Sequence, residues 1–425
     1  GRVALFHNEP DGKGGRRLVD VTAKAGLGKG ITWATSAAWA DLDGDGWPDL
    51  YVCQYVDWSF ANHPACTYDG KSPDVCPPKR FNGLPHKVYR NNGDGTFTDV
   101  SAEAGLRKSG ADAGKGLGVL AVDVNLDGKP DVYVANDTVD NFLYVNRSVP
   151  GKVRFEEVGL TAGVARDDNG TPTGSKGLDA FDYENTGRPA LWVSNDAGEH
   201  HSLFRNDLRD GRLAFLFASR GAGVAALGPD QVGWGTGALD FDHDGWADLF
   251  IANGHVLRFP TGRAKRAQRP DLLRNRGGKF VAVSDQGGPY FRAAHRARGA
   301  ALGDLDNDGR IDLVISHLNE PVVVLRNEAP AGTNHWLGVE LVGKRRGDVT
   351  GARLVLEVEG LPRQARFAKG GGSFASANDP RHVFGLGKAK RPGKLTVRWP
   401  SGQEQSWEGL KADRYWRLVE GESDR

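Results

Sequence analysis

The chain has 425 residues with 59 glycines, 21 prolines and three cysteines, and its formal net charge is +1. The glycine content predicts many tight turns, and no apolar run approaches the roughly 18 residues of a membrane-spanning segment. No arginine-rich helix or nucleic-acid-binding module is visible, so we expect no nucleic-acid partner. The charge is uneven, because residues from Thr333 onward include 17 basic and 11 acidic residues, whereas the preceding part has 38 basic and 43 acidic ones.

An acidic motif first occurs as DLDGDGWPDLYV at residues 41–52 and then recurs along the chain. Clear copies begin at Asp123, Asp240 and Asp304, and a weaker copy, DYENTGRPALWV, begins at Asp182. The copies are spaced by 82, 59, 58 and 64 residues, and the first interval contains an insertion of roughly 25 residues. Self-similarity at about 60 residues indicates a repeat fold, either stacked or closed into a ring.

Each repeat divides into four short apolar runs separated by turn residues. The repeat around residue 240 reads GTGALDF, ADLFIAN, DLLRN and KFVAVS, and runs of this length and composition are typical of strands. Four strands per repeat are typical of a β-propeller blade, so we predict an all-β propeller over residues 1–330. Five acidic motifs favour five blades. VALFHN and RRLVDVT near the N terminus resemble a third and a fourth strand, which could complete the last blade and close the ring. Because the last repeat already has its own VVVLRN, one copy is surplus, and the pattern also allows six or seven blades.

The carboxylates of the motif occupy positions 1, 3, 5 and 9 of a loop, with glycine at position 6. Such a loop can direct several oxygens, including the position 7 carbonyl, at one point, and an all-oxygen site suits Ca²⁺. An EF-hand is excluded because it requires a glutamate at position 12 and flanking helices, whereas this motif has valine or isoleucine there and is flanked by strands. We predict about four Ca²⁺ sites, with these ligands: Asp41, Asp43, Asp45, Trp47 and Asp49; Asp123, Asn125, Asp127, Lys129 and Asp131; Asp240, Asp242, Asp244, Trp246 and Asp248; Asp304, Asp306, Asp308, Arg310 and Asp312.

The weaker copy of the motif offers fewer ligands. Asp182 and Glu184 occupy positions 1 and 3, but Thr186 and Ala190 replace the acids at positions 5 and 9. This loop is therefore a weak metal candidate or a turn without metal.

The insertion at residues 54–80 is rich in proline and glycine and contains Cys66 and Cys76. The spacing is compatible with either a disulfide or two free thiols. A zinc site is disfavoured, because no CxxC pair is present and His63 is the only histidine close by in the sequence before His86. Cys53 lies in an apolar run and is expected to be a buried thiol.

Residues 333–421 lack the acidic motif and form a second region. The segments LGVELVG, ARLVLEVEG, RQARFAK, KLTVRWP and RYWRLVEG alternate or form short apolar runs. This pattern predicts a small β domain following the propeller.

Two parts of the chain resemble known families. The stretches GDLDNDGRIDLVIS, LYVNR and LFRN resemble FG-GAP/VCBS-type propeller repeats, and residues 333–407 resemble the ASPIC/UnbV domain. Their pairing, together with VCPP before KVYRNNGDGTFTDV, is similar to bacterial homologues of cartilage acidic protein. The resemblance implies calcium binding, export to a secreted, periplasmic or cell-surface location, and a disulfide between Cys66 and Cys76. It implies no settled biochemical activity.

The predicted topology separates two faces of the propeller. The loops joining strands 1 to 2 and 3 to 4 lie on one face, which places Ca²⁺ there, and the remaining loops form the opposite face. Long loops on a rigid scaffold are where binding residues concentrate, so we expect a ligand on this opposite face. The candidate residues there are Lys115, Lys176, Trp234, His255, Arg298 and His317.

A binding, adhesion or scaffold protein is the first functional hypothesis. Four Ca²⁺ ions would make the propeller basic, which favours an acidic glycan or a carboxylate-rich protein partner, unless the basic residues only solvate the surface. The alternative is a polysaccharide lyase or hydrolase that uses histidine, lysine or arginine on the same face. It ranks second because the sequence contains no recognised catalytic motif such as GxSxG or HExxH.

Overall fold

The computed structural model describes residues 2–106, 113–329, 334–344 and 348–422, and the fold over these residues is all-β. The predicted junction between the two regions, residues 330–333, lies outside the described residues. The helical segments described are short: α1 (Gly159–Ala162), α2 (Pro289–Arg292) and the 3₁₀ turns Pro78–Arg80, Val224–Leu227 and Ser284–Gln286. No helix among the described residues has the length and apolar character needed to cross a membrane.

The first described part of the chain contains an N-terminal hairpin followed by five antiparallel sheets. Its strands in chain order are β1 (Phe6–Pro10), β2 (Arg16–Asp20), β3 (Ala34–Ala40), β4 (Asp49–Gln54), β5 (Lys87–Asn91), β6 (Phe97–Asp99), β7 (Gly116–Val122), β8 (Asp131–Asn136), β9 (Phe142–Asn146), β10 (Phe155–Glu157), β11 (Leu178–Phe181), β12 (Ala190–Val193), β13 (Ser202–Asn206), β14 (Phe215–Phe217), β15 (Gly233–Leu239), β16 (Asp248–Asn253), β17 (Asp271–Asn275), β18 (Phe280–Ala282), β19 (Ala297–Gly303), β20 (Asp312–His317) and β21 (Val323–Leu325).

Four of the five sheets reproduce the predicted four-strand repeat, and the fifth has three strands within the described residues. The first to fourth sheets each take four consecutive strands in chain order, beginning with β3, β7, β11 and β15, and the fifth contains β19, β20 and β21. We call the first strand of each sheet its inner strand, because inner strands of consecutive sheets lie side by side. The hairpin β1–β2 pairs only with itself within the described chain, and Leu5 packs against the first sheet, so the hairpin does not extend the fifth sheet.

Glycine on the inner strands lets neighbouring sheets approach closely. A Cβ atom on Gly118 of β7 would lie 2.2 Å from a methyl group of Leu178, and one on Gly235 of β15 would lie 2.2 Å from the Ala300 nitrogen. Part of the high glycine content therefore serves packing between sheets as well as turns. The hydrophobic clusters are shared by neighbouring sheets, as between the first and second, where Tyr51 and Tyr144 pack together.

The second region forms two further sheets around one core. Its strands are β22 (His335–Val342), β23 (Arg353–Leu356), β24 (Gln364–Phe367), β25 (Gly370–Gly371), β26 (His382–Gly387), β27 (Leu395–Arg398), β28 (Glu404–Trp407) and β29 (Tyr415–Val419). One sheet has the order β26-β22-β29 and the other β24-β23-β27-β28. Trp399 and Trp407 are buried in the core between them, as expected of aromatic residues in a small β domain.

One segment of the second region, residues 369–379, leaves its own sheets and contacts the inner strands of the first part. We call it the arm. Its strand β25 pairs with β7, and a Cβ atom on Gly370 would lie 2.0 Å from the Trp39 carbonyl oxygen of β3. The arm therefore contacts the inner strands of the first and second sheets through backbone alone.

Ser373 of the arm joins the other three sheets and is fully buried. Its N–H donates to the Leu178 carbonyl of β11 at 2.7 Å, and its hydroxyl donates to the Ala300 carbonyl of β19 at 2.6 Å. The hydroxyl oxygen also accepts a hydrogen bond from the Thr236 N–H of β15 at 3.1 Å. The arm consequently contacts the inner strands of all five sheets.

We predict that Gly370→Ala destabilises the protein, because the added methyl group meets backbone that cannot move independently of β3. Overpacking of this kind costs about 1–3 kcal/mol, measurable as a lower free energy of unfolding in urea. Gly221→Ala is the matched control, since the nearest atom to its added Cβ is 3.7 Å away. Equal unfolding free energies for the two variants would contradict the close approach of the arm to β3.

Candidate functional site

Five loops that join the first and second strands of the sheets carry the acidic motif, and we number these acidic loops with their sheets. In the first acidic loop, Asp41 accepts hydrogen bonds from the N–H groups of Asp45 at 3.1 Å and Gly46 at 2.8 Å. The position 1 aspartates of the other four loops accept the same two bonds. The glycine at position 6 has φ between 82° and 97° in all five loops, a conformation that favours glycine.

The third acidic loop adopts this turn although it lacks acids at positions 5 and 9. Asp182 accepts the same bonds from Thr186 and Gly187 as its counterparts do. The acids that the other loops carry at positions 5 and 9 are therefore not required for this turn.

Three of the loops bring carboxylates together, and each set includes the position 1 aspartate. In each set, one oxygen per residue lies within 4.8 Å of the others: Asp41, Asp43 and Asp45; Asp240, Asp242 and Asp248; Asp304, Asp306 and Asp308. Burial raises the pKa of Asp41 to about 6 and that of Asp240 to about 7, with a further contribution from the neighbouring carboxylates. One oxygen of Asp242 is buried without a hydrogen-bond partner. The donor set, composed of close and partly desolvated oxygens, fits Ca²⁺.

The other predicted ligands also lie in these loops. The second acidic loop has Asn125 at position 3, and burial raises the pKa of Asp123 to about 6. The position 7 residues hold their loops by donating a backbone N–H to the position 5 carboxylate at 2.8–3.0 Å; they are Trp47, Lys129, Trp246 and Arg310.

The aspartate at position 9 accepts two backbone hydrogen bonds that stabilise the fold. Asp49 accepts hydrogen bonds from the Leu42 N–H of its own loop at 3.0 Å and from the Asn91 N–H of β5 at 2.8 Å. Asp131, Asp248 and Asp312 make the equivalent pairs of bonds. In these four loops, the aspartate therefore ties the loop to the third strand of its sheet or to the residues just after it, whether or not it also contacts a metal.

A repeated asparagine, to which the sequence analysis assigned no role, joins consecutive sheets. The amide of Asn146 at the end of β9 donates to the Leu42 carbonyl of the preceding acidic loop at 2.8 Å and to the Pro130 carbonyl of its own loop at 2.9 Å. Asn206, Asn275 and Asn327 make the equivalent inter-sheet bonds. The signal in the sequence is the asparagine that ends LYVN, LFRN, LLRN and VLRN.

Positive charge from the protein itself reaches the acidic loops. Arg274 of β17 lies 2.5 Å from an oxygen of Asp242 and 3.1 Å from one of Asp244. Arg326 of the fifth repeat lies 2.7 Å from an oxygen of Asp306. These arginines balance part of the negative charge that the sequence predicts should attract a cation.

The basic second region covers the acidic loops. Arg398 donates to the Leu126 carbonyl of the second loop at 2.9 Å, and Arg381 donates to the Asp304 carbonyl of the fifth at 2.7 Å. The Tyr415 hydroxyl donates to a carboxylate oxygen of Asp304 at 2.7 Å. The uneven charge along the sequence thus corresponds to a contact between an acidic face and a basic domain.

The opposite face carries a cavity of about 670 Å³. Four sheets line it with the residues that follow their second strands, which include Tyr55, Asp137, Asp196 and His255. Segments that precede or begin the inner strands add further walls, including Trp33, Leu117, Lys176 and Trp234. Equivalent positions of several repeats therefore converge on one cavity, on the face that the topology predicts for a ligand.

The polar part of the cavity contains buried charges of both signs. The Tyr55 hydroxyl donates to one carboxylate oxygen of Asp137 at 2.5 Å, while the other oxygen of Asp137 is buried without a hydrogen-bond partner. Burial raises the pKa of Asp137, opposed by Lys176. The Lys176 ammonium donates to the Gly174 carbonyl at 2.8 Å and lies 3.5 Å from Asp196.

The cysteine-containing insertion forms one wall of the cavity. Cys66 and Cys76 form a disulfide, which confirms the prediction, and Cys53 is a free buried thiol. The Asp74 carboxylate accepts hydrogen bonds from the N–H groups of Arg258 and Phe259, which follow the second strand of the fourth sheet. The insertion consequently extends from the first sheet to the fourth and brings Trp58 to the cavity, and Phe81, which directly follows it, also lines the cavity.

Three of the six predicted ligand-face residues, Lys176, Trp234 and His255, line the cavity. Arg298 stacks behind the cavity wall, with its guanidinium 4.3 Å from the centre of the Trp234 ring. Lys115 lies close by and donates to the Pro78 carbonyl at 2.9 Å. His317 lies elsewhere, at the end of β20 beside His295 and Glu320.

Comparison with known families gives the class of protein. The sequence matches the FG-GAP-like repeat family over residues 1–52, 85–134 and 240–315, and the ASPIC and UnbV family over residues 343–425. The chain therefore combines FG-GAP-like repeats with an ASPIC/UnbV domain. The repeat match omits the cysteine-containing insertion and the third sheet, whose acidic loop is incomplete.

Individual relatives were found among curated proteins. The chain is 25% identical to cartilage acidic protein 1 of Homo sapiens over 322 residues, which cover 75% of this chain and 38% of that protein. It is 25% identical to cartilage acidic protein 1 of Mus musculus over 371 residues, which cover 87% of this chain and 52% of that protein. The chain thus spans about half or less of the length of these relatives.

Two solved structures are distantly similar to the chain. An exotype rhamnogalacturonan lyase, YesX, is 15% identical with a TM-score of 0.35, covering 88% of this chain and 58% of that one. The BBS1N chain from a complex with ARL6DN is 11% identical with a TM-score of 0.35, covering 89% of this chain and 93% of that one.

We predict that Asn275→Ala destabilises the protein more than Asn91→Ala. The Asn275 amide donates to two carbonyls, those of Tyr183 in the third loop and Ala247 in its own, whereas the Asn91 amide donates to the Pro48 carbonyl of its own loop. Each buried carbonyl left without a donor costs about 1–3 kcal/mol, so the free energies of unfolding in urea should differ by about that amount. Equal losses in the two variants would show that the inter-sheet bond contributes nothing.

Proposed function

We propose that this chain is an exported, calcium-stabilised five-bladed propeller that binds a glycan in the cavity opposite its acidic loops. The five sheets are the blades, and the arm occupies the axis that their inner strands share. The observation that carries the proposal is the convergence of equivalent positions from four sheets on a single cavity of about 670 Å³. The disulfide between Cys66 and Cys76 supports a location in an oxidising compartment.

Calcium fits the acidic loops for reasons of donor type and charge. Three loops gather three carboxylates each, and the second loop offers Asp123, Asn125, Asp127 and Asp131. We propose Ca²⁺ in these four loops and none in the third, whose position 9 is Ala190. Bound Ca²⁺ would offset the repulsion between neighbouring carboxylates that Arg274 and Arg326 balance only in part.

A glycan matches the composition of the cavity. Aromatic faces such as Trp33 and Trp58 offer apolar platforms for a sugar ring, and the unpartnered oxygen of Asp137 can accept a hydrogen bond from a hydroxyl group. The basic residues near the cavity have few hydrogen-bond donors left for an acidic ligand group. The guanidinium of Arg298 already donates to the carbonyls of Gly254, His255 and Ala297.

This balance of charges refines the expected ligand. Lys176 is paired with Asp196 and with a carbonyl, and Asp137 adds a second carboxylate near it. The cavity is therefore less basic than the expected binding face, and we propose a neutral sugar unit at its centre. An acidic unit or a protein partner would have to use the outer rim.

We predict that removal of Ca²⁺ destabilises the folded chain, because an ion bound only to the native state must stabilise it. EDTA should lower the Tm, and added Ca²⁺ should restore it, in differential scanning calorimetry. Asp306→Asn should reduce the number of bound Ca²⁺ ions by one, whereas Glu184→Gln in the third loop should leave the number unchanged. An unchanged Tm in EDTA would rule out calcium stabilisation.

We predict that Trp58→Ala weakens glycan binding, measured on an array of neutral and acidic glycans, by about tenfold or more. Phe60→Ala is the control, because Phe60 belongs to the same insertion and touches Trp58 but is 92% exposed and does not line the cavity.

Two results would count against this proposal. Equal binding by both variants would place the ligand outside the cavity. Cleavage of a bound glycan, detected by mass spectrometry, would favour the lyase or hydrolase alternative instead.

A further inference from the structure

A cluster of two histidines and a glutamate lies at the end of the fifth sheet, apart from the residues that line the cavity. His295 precedes β19, His317 ends β20, and Glu320 follows it. Each of the three side chains offers a ligand atom, and these atoms lie within 4.8 Å of one another. All three residues are partly exposed, so solvent reaches the cluster.

A backbone carbonyl fixes the tautomer of each histidine. The Nε2 atom of His295 lies 3.1 Å from the Tyr290 carbonyl oxygen, and the Nδ1 atom of His317 lies 2.9 Å from that of Pro321. A carbonyl oxygen only accepts, so both of these nitrogens carry the proton. In the neutral rings, the lone pairs are therefore on His295 Nδ1 and His317 Nε2.

Glu320 is oriented in a similar way. Its Oε1 atom accepts a hydrogen bond from the Arg296 side chain at 2.8 Å, which leaves Oε2 for another partner. Oε2 faces His295 and lies 3.5 Å from its Nδ1 atom. A carboxylate oxygen and a nitrogen lone pair repel each other unless a proton or a cation lies between them.

We propose that His295, His317 and Glu320 bind a zinc ion or a similar divalent transition-metal ion. Two imidazole nitrogens and one carboxylate oxygen form a three-residue zinc shell with a fourth position open to water. Two ligands on a tetrahedral zinc with bonds of about 2.0–2.2 Å are about 3.4 Å apart, close to the 3.5 Å between His295 Nδ1 and Glu320 Oε2. In metal sites, each ligand residue is typically held by a second hydrogen bond on the atom that does not bind the metal, as His295, His317 and Glu320 are here.

Tyr290 competes with the metal for one ligand. Its hydroxyl donates to His317 Nε2 at 2.8 Å, and its ring stacks on His295 with the ring centres 4.0 Å apart. Binding therefore requires the hydroxyl to release His317, while the stacked ring keeps His295 in place. This site uses nitrogen ligands and is chemically distinct from the oxygen-only acidic loops.

The test is a titration of the full chain with Zn²⁺, after EDTA treatment and exchange into excess Ca²⁺ so that oxygen sites are saturated. Competition with a chromophoric chelator should detect one tightly bound Zn²⁺ per chain. His295→Ala and His317→Ala should each weaken this binding by about tenfold to a hundredfold or more. His7→Ala, which removes an exposed histidine paired with Glu9 on the hairpin, should leave it unchanged.

Two further measurements separate metal binding from loss of the fold. Zn²⁺ should raise the Tm of the unmodified chain but not that of His317→Ala, and Co²⁺ should give a visible absorption band that His295→Ala abolishes. Tyr290→Phe should bind Zn²⁺ at least as tightly as the unmodified chain, because it keeps the ring and removes the competing hydroxyl. The proposal would be overturned by no bound Zn²⁺, by histidine variants that bind Zn²⁺ as tightly as the unmodified chain, or by weaker binding in Tyr290→Phe.

Discussion

Negative charge held close to a protein surface must be balanced, and this constraint organises the molecule. The acidic loops place carboxylates beside one another, and burial raises the pKa of several of them. Third-strand arginines such as Arg274, and the basic second region through Arg398 and Arg381, supply positive charge on that face. The contact between the two regions is thus electrostatic as well as apolar.

The two faces of the repeat region differ in what their residues can do. On the face of the acidic loops, polar atoms are largely used by the fold: Asp49 holds β5, and Asn146 joins the first sheet to the second. On the opposite face, Asp137 retains an unpartnered oxygen and aromatic rings line an open cavity. Residues that are already hydrogen-bonded maintain a scaffold, whereas unpartnered ones are available to a ligand.

Local patterns were sufficient to predict the strands, because each repeat has short apolar runs between turn residues. The opposite face was predictable for the same reason, and Lys176, Trp234 and His255 do lie together there. Asn146 and its counterparts were visible in the sequence as a repeated asparagine, but their inter-sheet partners are 82 to 104 residues away. The cluster of His295, His317 and Glu320 depends on which nitrogen each ring presents, and no spacing in the sequence reveals that.

The arm has a consequence for how the chain folds. Ser373 bonds to residues near 178, 236 and 300, and Asp348 accepts a hydrogen bond from the backbone of Asp41, 307 positions earlier. Contacts over such distances are slow to form, because long loops must close first. During synthesis, the sheets emerge before the segment that contacts all of their inner strands. The inner strands can therefore complete their contacts with the arm only after residues 369–379 have been synthesised. Until then, the edge of β7 that pairs with β25 is open to pairing with another chain.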